Sequence, residues 1–229
     1  MKTYFNDENL IDSDKYYHLN GKASYMLFET ISAVYPFVKF EGEIRAINDY
    51  CVFILDQLKN RLVEIAKDSN YVLEFTSCKK IARDSIMYFE EVLDYPTPLL
   101  TWEILSADIN KYTMLLLWLS YLESSLDEIA RWFCDVKNIS FGHKNKKVTG
   151  VIHCLEKISL CCGCNLVKEL SKEIIYYNEI RKIRNQFVHR EWEQVSDRDQ
   201  QFQLDKVVNL VSTIIAATER RAYHAEIIS

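Results

Sequence analysis

The stretch Lys111–Val136, KYTMLLLWLSYLESSLDEIARWFCDV, decides the fold class. Leu115, Leu119, Leu122, Leu126, Ile129 and Phe133 recur at alternating spacings of four and three, which on a helix makes one narrow apolar seam. Trp118 and Trp132 flank it. The most apolar part, Thr113–Leu122, is about half of the ~20 residues that a membrane-spanning helix needs, so the pattern predicts a core helix. Glu123 falls on the margin of the seam, about 80° from its centre. A carboxylate there is partly buried and wants a cationic partner.

The same rhythm extends outward in both directions. Between Glu43 and Lys67, apolar side chains fall at Ile44, Cys51, Leu55, Leu58, Leu62 and Ile65, one stripe on a long helix. A second amphipathic stretch, Ser77 to Asp94, stops at YPTP, where Pro96 and Pro98 cannot supply helical amides. Downstream, a shorter helix is predicted from Val148 to about Leu160 and ends before Gly163. Another covers Val167–Arg190, and a last one runs from Asp199 to about Tyr223 on Leu204, Val207, Val208, Val211, Ile214 and Ile215. The first 20 or so residues read as a loosely docked arm, and Gly21, Pro36 and Gly42 bracket a first apolar segment, ASYMLFETISAVYPF. With only 5 glycines and 3 prolines there is little material for the frequent tight turns of a sheet-based fold. The expectation is an all-α, multi-helix bundle forming a single domain over 1–229.

Composition narrows the functional classes. The hydrophobic content of 48% is that of a packed globular protein, and a net charge of −5 argues against a large basic nucleic-acid surface while leaving room for a local site. The clearest basic run, HKNKK at His143–Lys147, reads as a solvated connection. The opening MKTYFNDENLIDSDKYYHLNGK lacks the apolar segment of a signal peptide, and seven cysteines without framework spacing fit a reducing cytoplasm. Cys161, Cys162 and Cys164, with His153 and Cys154 upstream, carry enough ligand types for zinc but lack paired CxxC spacing. The expectation is core cysteines, no metal and no cofactor. There is no phosphate-binding glycine loop, nucleophile elbow or HExxH motif.

The chemistry-bearing segment is YYNEIRKIRNQFVHREWE, Tyr176–Glu193. On a helical wheel centred on Ile180, Tyr176, Ile183 and Phe187 lie to one side and Tyr177 and Val188 to the other, with Arg184 inside the apolar arc at about 40°. A guanidinium there must pair, reach a cleft or lie at an interface, because an unpaired buried charge costs several kcal/mol. Glu123 is the partner that the pattern selects. His189 lies about 140° from Arg184, on the side of Asn178 and Asn185. Imidazole titrates near neutral pH and guanidinium matches phosphate oxygens with a fork of donors, a kit suited to a phosphodiester. In RNA the 2′-hydroxyl is a built-in nucleophile, so no metal is required. The competing reading of the same residues is an ion pair and a packed imidazole.

The string Arg184, Asn185, three intervening residues and His189 resembles the Rx4-6H motif of the HEPN superfamily, and LSYLESSLDEIARWF resembles the acidic helix that packs against the motif helix. The resemblance covers a core of about 101–229 and leaves an amino-terminal helical extension of about 21–95 unexplained. It implies a helical bundle, usually a homodimer whose motif helices face one another, and a metal-independent endoribonuclease of the kind found in toxin–antitoxin and phage-defence systems. RNA would be the substrate and an antitoxin or regulatory protein a further partner. Arg184 would act on phosphate, His189 in proton transfer, and Asn185 would keep the cleft polar, with Glu123 in support. Arg181 and Tyr177 are substrate-binding candidates, Tyr176 and Tyr177 as base-stacking rings. Inactive relatives bind nucleotide, RNA or protein, which gives the alternative of a noncatalytic helical module. In one branch a tyrosine two residues after the histidine accepts a modifying nucleotide; that position here is Glu191, followed by Trp192.

Overall fold

The computed structural model describes residues 16–19, 23–66, 109–142, 148–189 and 203–228. Their helices are α1 (Phe37–Ala66), α2 (Asn110–Val136), α3 (Gly150–Cys162), the single turn α4 (Leu166–Glu169), α5 (Ser171–Val188) and α6 (Leu204–His224). Two short strands, β1 (Tyr16–Leu19) and β2 (Ala23–Met26), pair antiparallel, with Tyr16 opposite Met26 and Leu19 opposite Ala23. The protein is all-α, and the hairpin is an adjunct that lies against α6.

The predicted seam of α2 is the axis of the core. Leu115, Leu119, Leu122, Leu126, Ile129 and Phe133 are all fully buried, as is Trp118, whereas Trp132 is partly covered. Each such leucine withdraws enough apolar surface to contribute about 1.5–3 kcal/mol. Helix α1 runs antiparallel to α2. Its first turns meet the carboxy-terminal half of α2, where the rings of Phe37 and Phe133 are 6.4 Å apart and Lys39 pairs with Glu128 at 2.7 Å. Farther along, Cys51 lies beside Trp118, near the start of α2. Helices α3, α5 and α6 close over the remaining sides, and α6 contributes Val207, Val208, Val211, Ile214 and Ile215 as predicted.

Three boundaries differ from the sequence pattern. The segment from Ala23 to Pro36, expected to open a helical extension, is strand and loop. Its amides are claimed by side chains: Phe28 N–H donates to Ser212 at 3.1 Å, Thr30 N–H to Glu41 at 3.1 Å, and the Ile31 and Ser32 N–H groups to Glu219 at 3.1 Å. Glu219, only 1% exposed, also accepts from the hydroxyls of Thr30 and Ser32. A carboxylate on α6 thus holds a loop that precedes it by most of the chain. Second, the helix expected over Val167–Arg190 is divided at Leu170 into α4 and α5. Asn165 caps α4 by accepting from Lys168 N–H at 3.0 Å, and the ladder restarts with Ile174 N–H on the Leu170 carbonyl at 2.9 Å. Third, the last helix starts at Leu204 after an extended Gln203. Of the amino-terminal arm, Tyr16–Leu19 form β1, paired with β2 rather than loosely docked, and residues 1–15 lie outside the described residues, as do the amphipathic stretch Ser77–Asp94 with Pro96 and Pro98, and HKNKK.

Helix α3 begins on Thr149, whose hydroxyl accepts from Ile152 N–H at 3.3 Å, and ends at Gly163 in the left-handed region with φ 64°. The cysteines near its end pack rather than converge on a metal. The Cys161 and Cys134 sulfurs are 3.9 Å apart, and the His153 ring lies edge-on to Phe141 at 5.1 Å. Among the described residues, no three His, Cys, Asp or Glu side chains form a group that could hold a metal ion, and no helix is long and apolar enough to cross a membrane.

Candidate functional site

Helix α5 buries Ile174, Tyr177, Ile180 and Ile183, a spacing of three that turns one face toward α2 and α6. Its carboxy-terminal end is pinned by Phe187, whose ring stacks on Tyr112 of α2 at 5.2 Å. These contacts fix the position of Arg184 between them, with its side chain 13% exposed.

The guanidinium reaches Glu123. Arg184 Nη1 donates to Glu123 Oε1 at 3.1 Å, and the carboxylate side chain is 34% exposed. The partner that helical-wheel arithmetic selects is therefore the one that the fold supplies. Arg184 also donates through Nε and Nη2 to the Asn185 side-chain oxygen, at 3.3 and 3.1 Å. Two strips of the helix that the wheel separates, arginine in apolar surroundings and amide beside imidazole, are thereby joined through the arginine. Of the five guanidinium N–H bonds, one on Nη1 and one on Nη2 have no acceptor among the described residues.

Tyr177 takes a different place from the one expected. Its residue exposure is 0%, so it has no free ring face on which a base could stack, and its hydroxyl donates to Glu123 Oε1 at 2.7 Å. One carboxylate oxygen accepts from both the phenol and the guanidinium. Burial, and then the hydrogen bond and charge of Glu123, push the phenol above its usual range, against the opposing charges of Arg181 and Arg184. It remains a donor throughout the neutral range. Tyr176 is partly covered, and burial pushes its phenol up to about 12 against the opposing effect of a backbone hydrogen bond with Gln203.

His189 caps α5 and is exposed; its backbone N–H donates to the Asn185 carbonyl at 2.9 Å. Helical geometry sets it about 7.5 Å along the axis from Arg184. Arg181 is half-buried and forms no ion pair among the described residues, and its charge is felt at the Tyr177 phenol. Asn178 is half-buried on the same helix. Glu191, Trp192 and Glu193 lie outside the described residues. The member that the sequence pattern misses is the Tyr177 hydroxyl as a third party to the ion pair. A signal for it exists, since Tyr177 and Arg184 are seven residues apart and so lie about 20° from one another on the wheel.

Compared with known proteins, the chain matches no family model, no curated protein and no solved structure.

Proposed function

We propose that the protein is a metal-independent endoribonuclease of HEPN type, acting as a homodimer in a toxin–antitoxin or defence setting. The observation that carries this reading is an arginine held by Glu123 and Asn185, with two N–H bonds that have no acceptor among the described residues, on the helix capped by an exposed histidine. In this mechanism His189 takes the proton of a 2′-hydroxyl, whose oxygen attacks the adjacent phosphorus. Those two N–H bonds of Arg184 stabilise the charge that develops on the nonbridging oxygens. The 5′-oxygen leaves with a proton from water, giving a 2′,3′-cyclic phosphate and a 5′-hydroxyl end, and His189 returns its proton to solvent. Asn185 keeps the guanidinium aligned, and Arg181 supplies a second positive charge close by.

A second reading is a noncatalytic helical module, in which the Arg184–Glu123–Tyr177 group only organises the junction of α2 and α5. The low exposure of Arg184, 13%, and its neutralisation by Glu123 favour it. Cleavage of end-labelled RNA in EDTA separates the two. The enzyme reading expects cyclic-phosphate ends from the wild type and loss of at least about a hundredfold in both His189→Ala and Arg184→Ala. Equal cleavage by all three proteins, or none by any, would favour the module.

A further inference from the structure

We propose that Tyr177 is a positioning residue: its buried hydroxyl fixes Glu123, and through the shared oxygen fixes the guanidinium of Arg184, two of whose N–H bonds have no acceptor among the described residues and would serve the substrate phosphate. The catalytic part of this inference rests on the ribonuclease reading; the positioning part does not.

The geometry carries it. A carboxylate that is 34% exposed, on a side chain with three rotatable bonds, does not hold a guanidinium still by itself. The Tyr177 ring is closed on all sides, so its hydroxyl is an immobile donor, and at 2.7 Å from Oε1 it anchors the carboxylate oxygen that Arg184 uses. Asn185 then sets the other edge of the guanidinium through Nε and Nη2. Three side chains from two helices thus restrict a group whose remaining donors must meet a transition state. A charge-assisted network of this kind gains its value from orientation more than from Coulomb energy.

The test uses Tyr177→Phe in the full chain, which keeps the buried ring and removes only the oxygen. The first readout is independent of activity. In low-temperature nitrogen-15 NMR, the Arg184 Hη protons, assigned by their loss in Arg184→Lys, are expected as separate resonances in the wild type and as one averaged line in Tyr177→Phe. Separate resonances in both proteins, or averaged ones in both, would overturn the proposal. The second readout is kinetic. The variant is expected to lose about tenfold to a hundredfold in kcat with KM for RNA nearly unchanged, whereas an unchanged kcat would overturn the catalytic part. Because the hydroxyl acts through Glu123, Tyr177→Phe combined with Glu123→Gln should be no worse than Glu123→Gln alone; additive losses would overturn that route. Should the wild type cut no RNA while the Hη signals still respond to Tyr177→Phe, the ribonuclease reading fails and the positioning of Arg184 stands.

Discussion

A guanidinium with 13% of its side chain exposed needs its carboxylate for stability before any chemistry is considered. Glu123→Ala leaves Arg184 charged, mostly covered and short of one acceptor. The expected cost is about 1–3 kcal/mol, less than for a fully buried pair because the carboxylate is partly solvated. Urea unfolding measures it as a lower midpoint with unchanged slope. The double variant Glu123→Ala with Arg184→Ala should lose less in total than the two single losses combined, because removing both groups strands no charge. Simple additivity would mean that the two groups do not interact in solution. This pairing was legible in the sequence, since Arg184 lies inside an apolar arc and Glu123 on the margin of another, where each wants an opposite charge. The role of Tyr177 was not, because a wheel gives direction but not depth. A tyrosine on an apolar arc can end at the surface or, as here, be sealed with its hydroxyl on a neighbouring helix.

Among the described residues, the elements followed their periodicity where a seam runs unbroken, as in α2 and the body of α6. They departed from it where side chains from elsewhere in the chain claimed the backbone. The loop before α1 is apolar enough for a helix, yet its N–H groups are taken by Ser212, Glu41 and Glu219. No local pattern reveals a partner so distant in sequence. The division at Leu170 also lacks a glycine or proline to announce it. Gly163 is the opposite case: its position after an apolar run marks a helix end, and it adopts φ 64° there. A Cβ at Gly163 would meet nothing within 4 Å, so Gly163→Ala should destabilise only through the left-handed backbone, by about 1 kcal/mol. Gly163→Asn should cost less, since asparagine tolerates that region. Thermal melts of the two variants check the order. A loss well above this from alanine would point to a steric contact that the structure lacks.

At the scale of the whole molecule, the core holds several acidic groups in their neutral form, and this sets how stability depends on pH. Burial, above all, pushes the Cys51 and Cys162 thiols up to about 12 and Cys161 to about 11, and raises the Tyr121 and Tyr177 phenols above their usual range. The unfolded chain releases a thiol proton near 9. Between that pH and the folded value the native state binds more protons than the unfolded one, so stability falls as pH rises. Below the unfolded value the contribution is fully present and constant. Each group can steepen the decline by at most about 1.4 kcal/mol per pH unit. Under reductant, the urea midpoint should therefore be flat from neutral pH to about 8 and drop steadily above 9. Cys51, with 1% exposure and a folded value of about 12, is the cleanest single contributor. Cys51→Ala should lower stability at neutral pH through the lost packing, yet its alkaline slope should be shallower by up to one proton. An unchanged slope would mean that Cys51 meets water in the folded protein, contrary to its place beside Trp118 where α1 crosses α2.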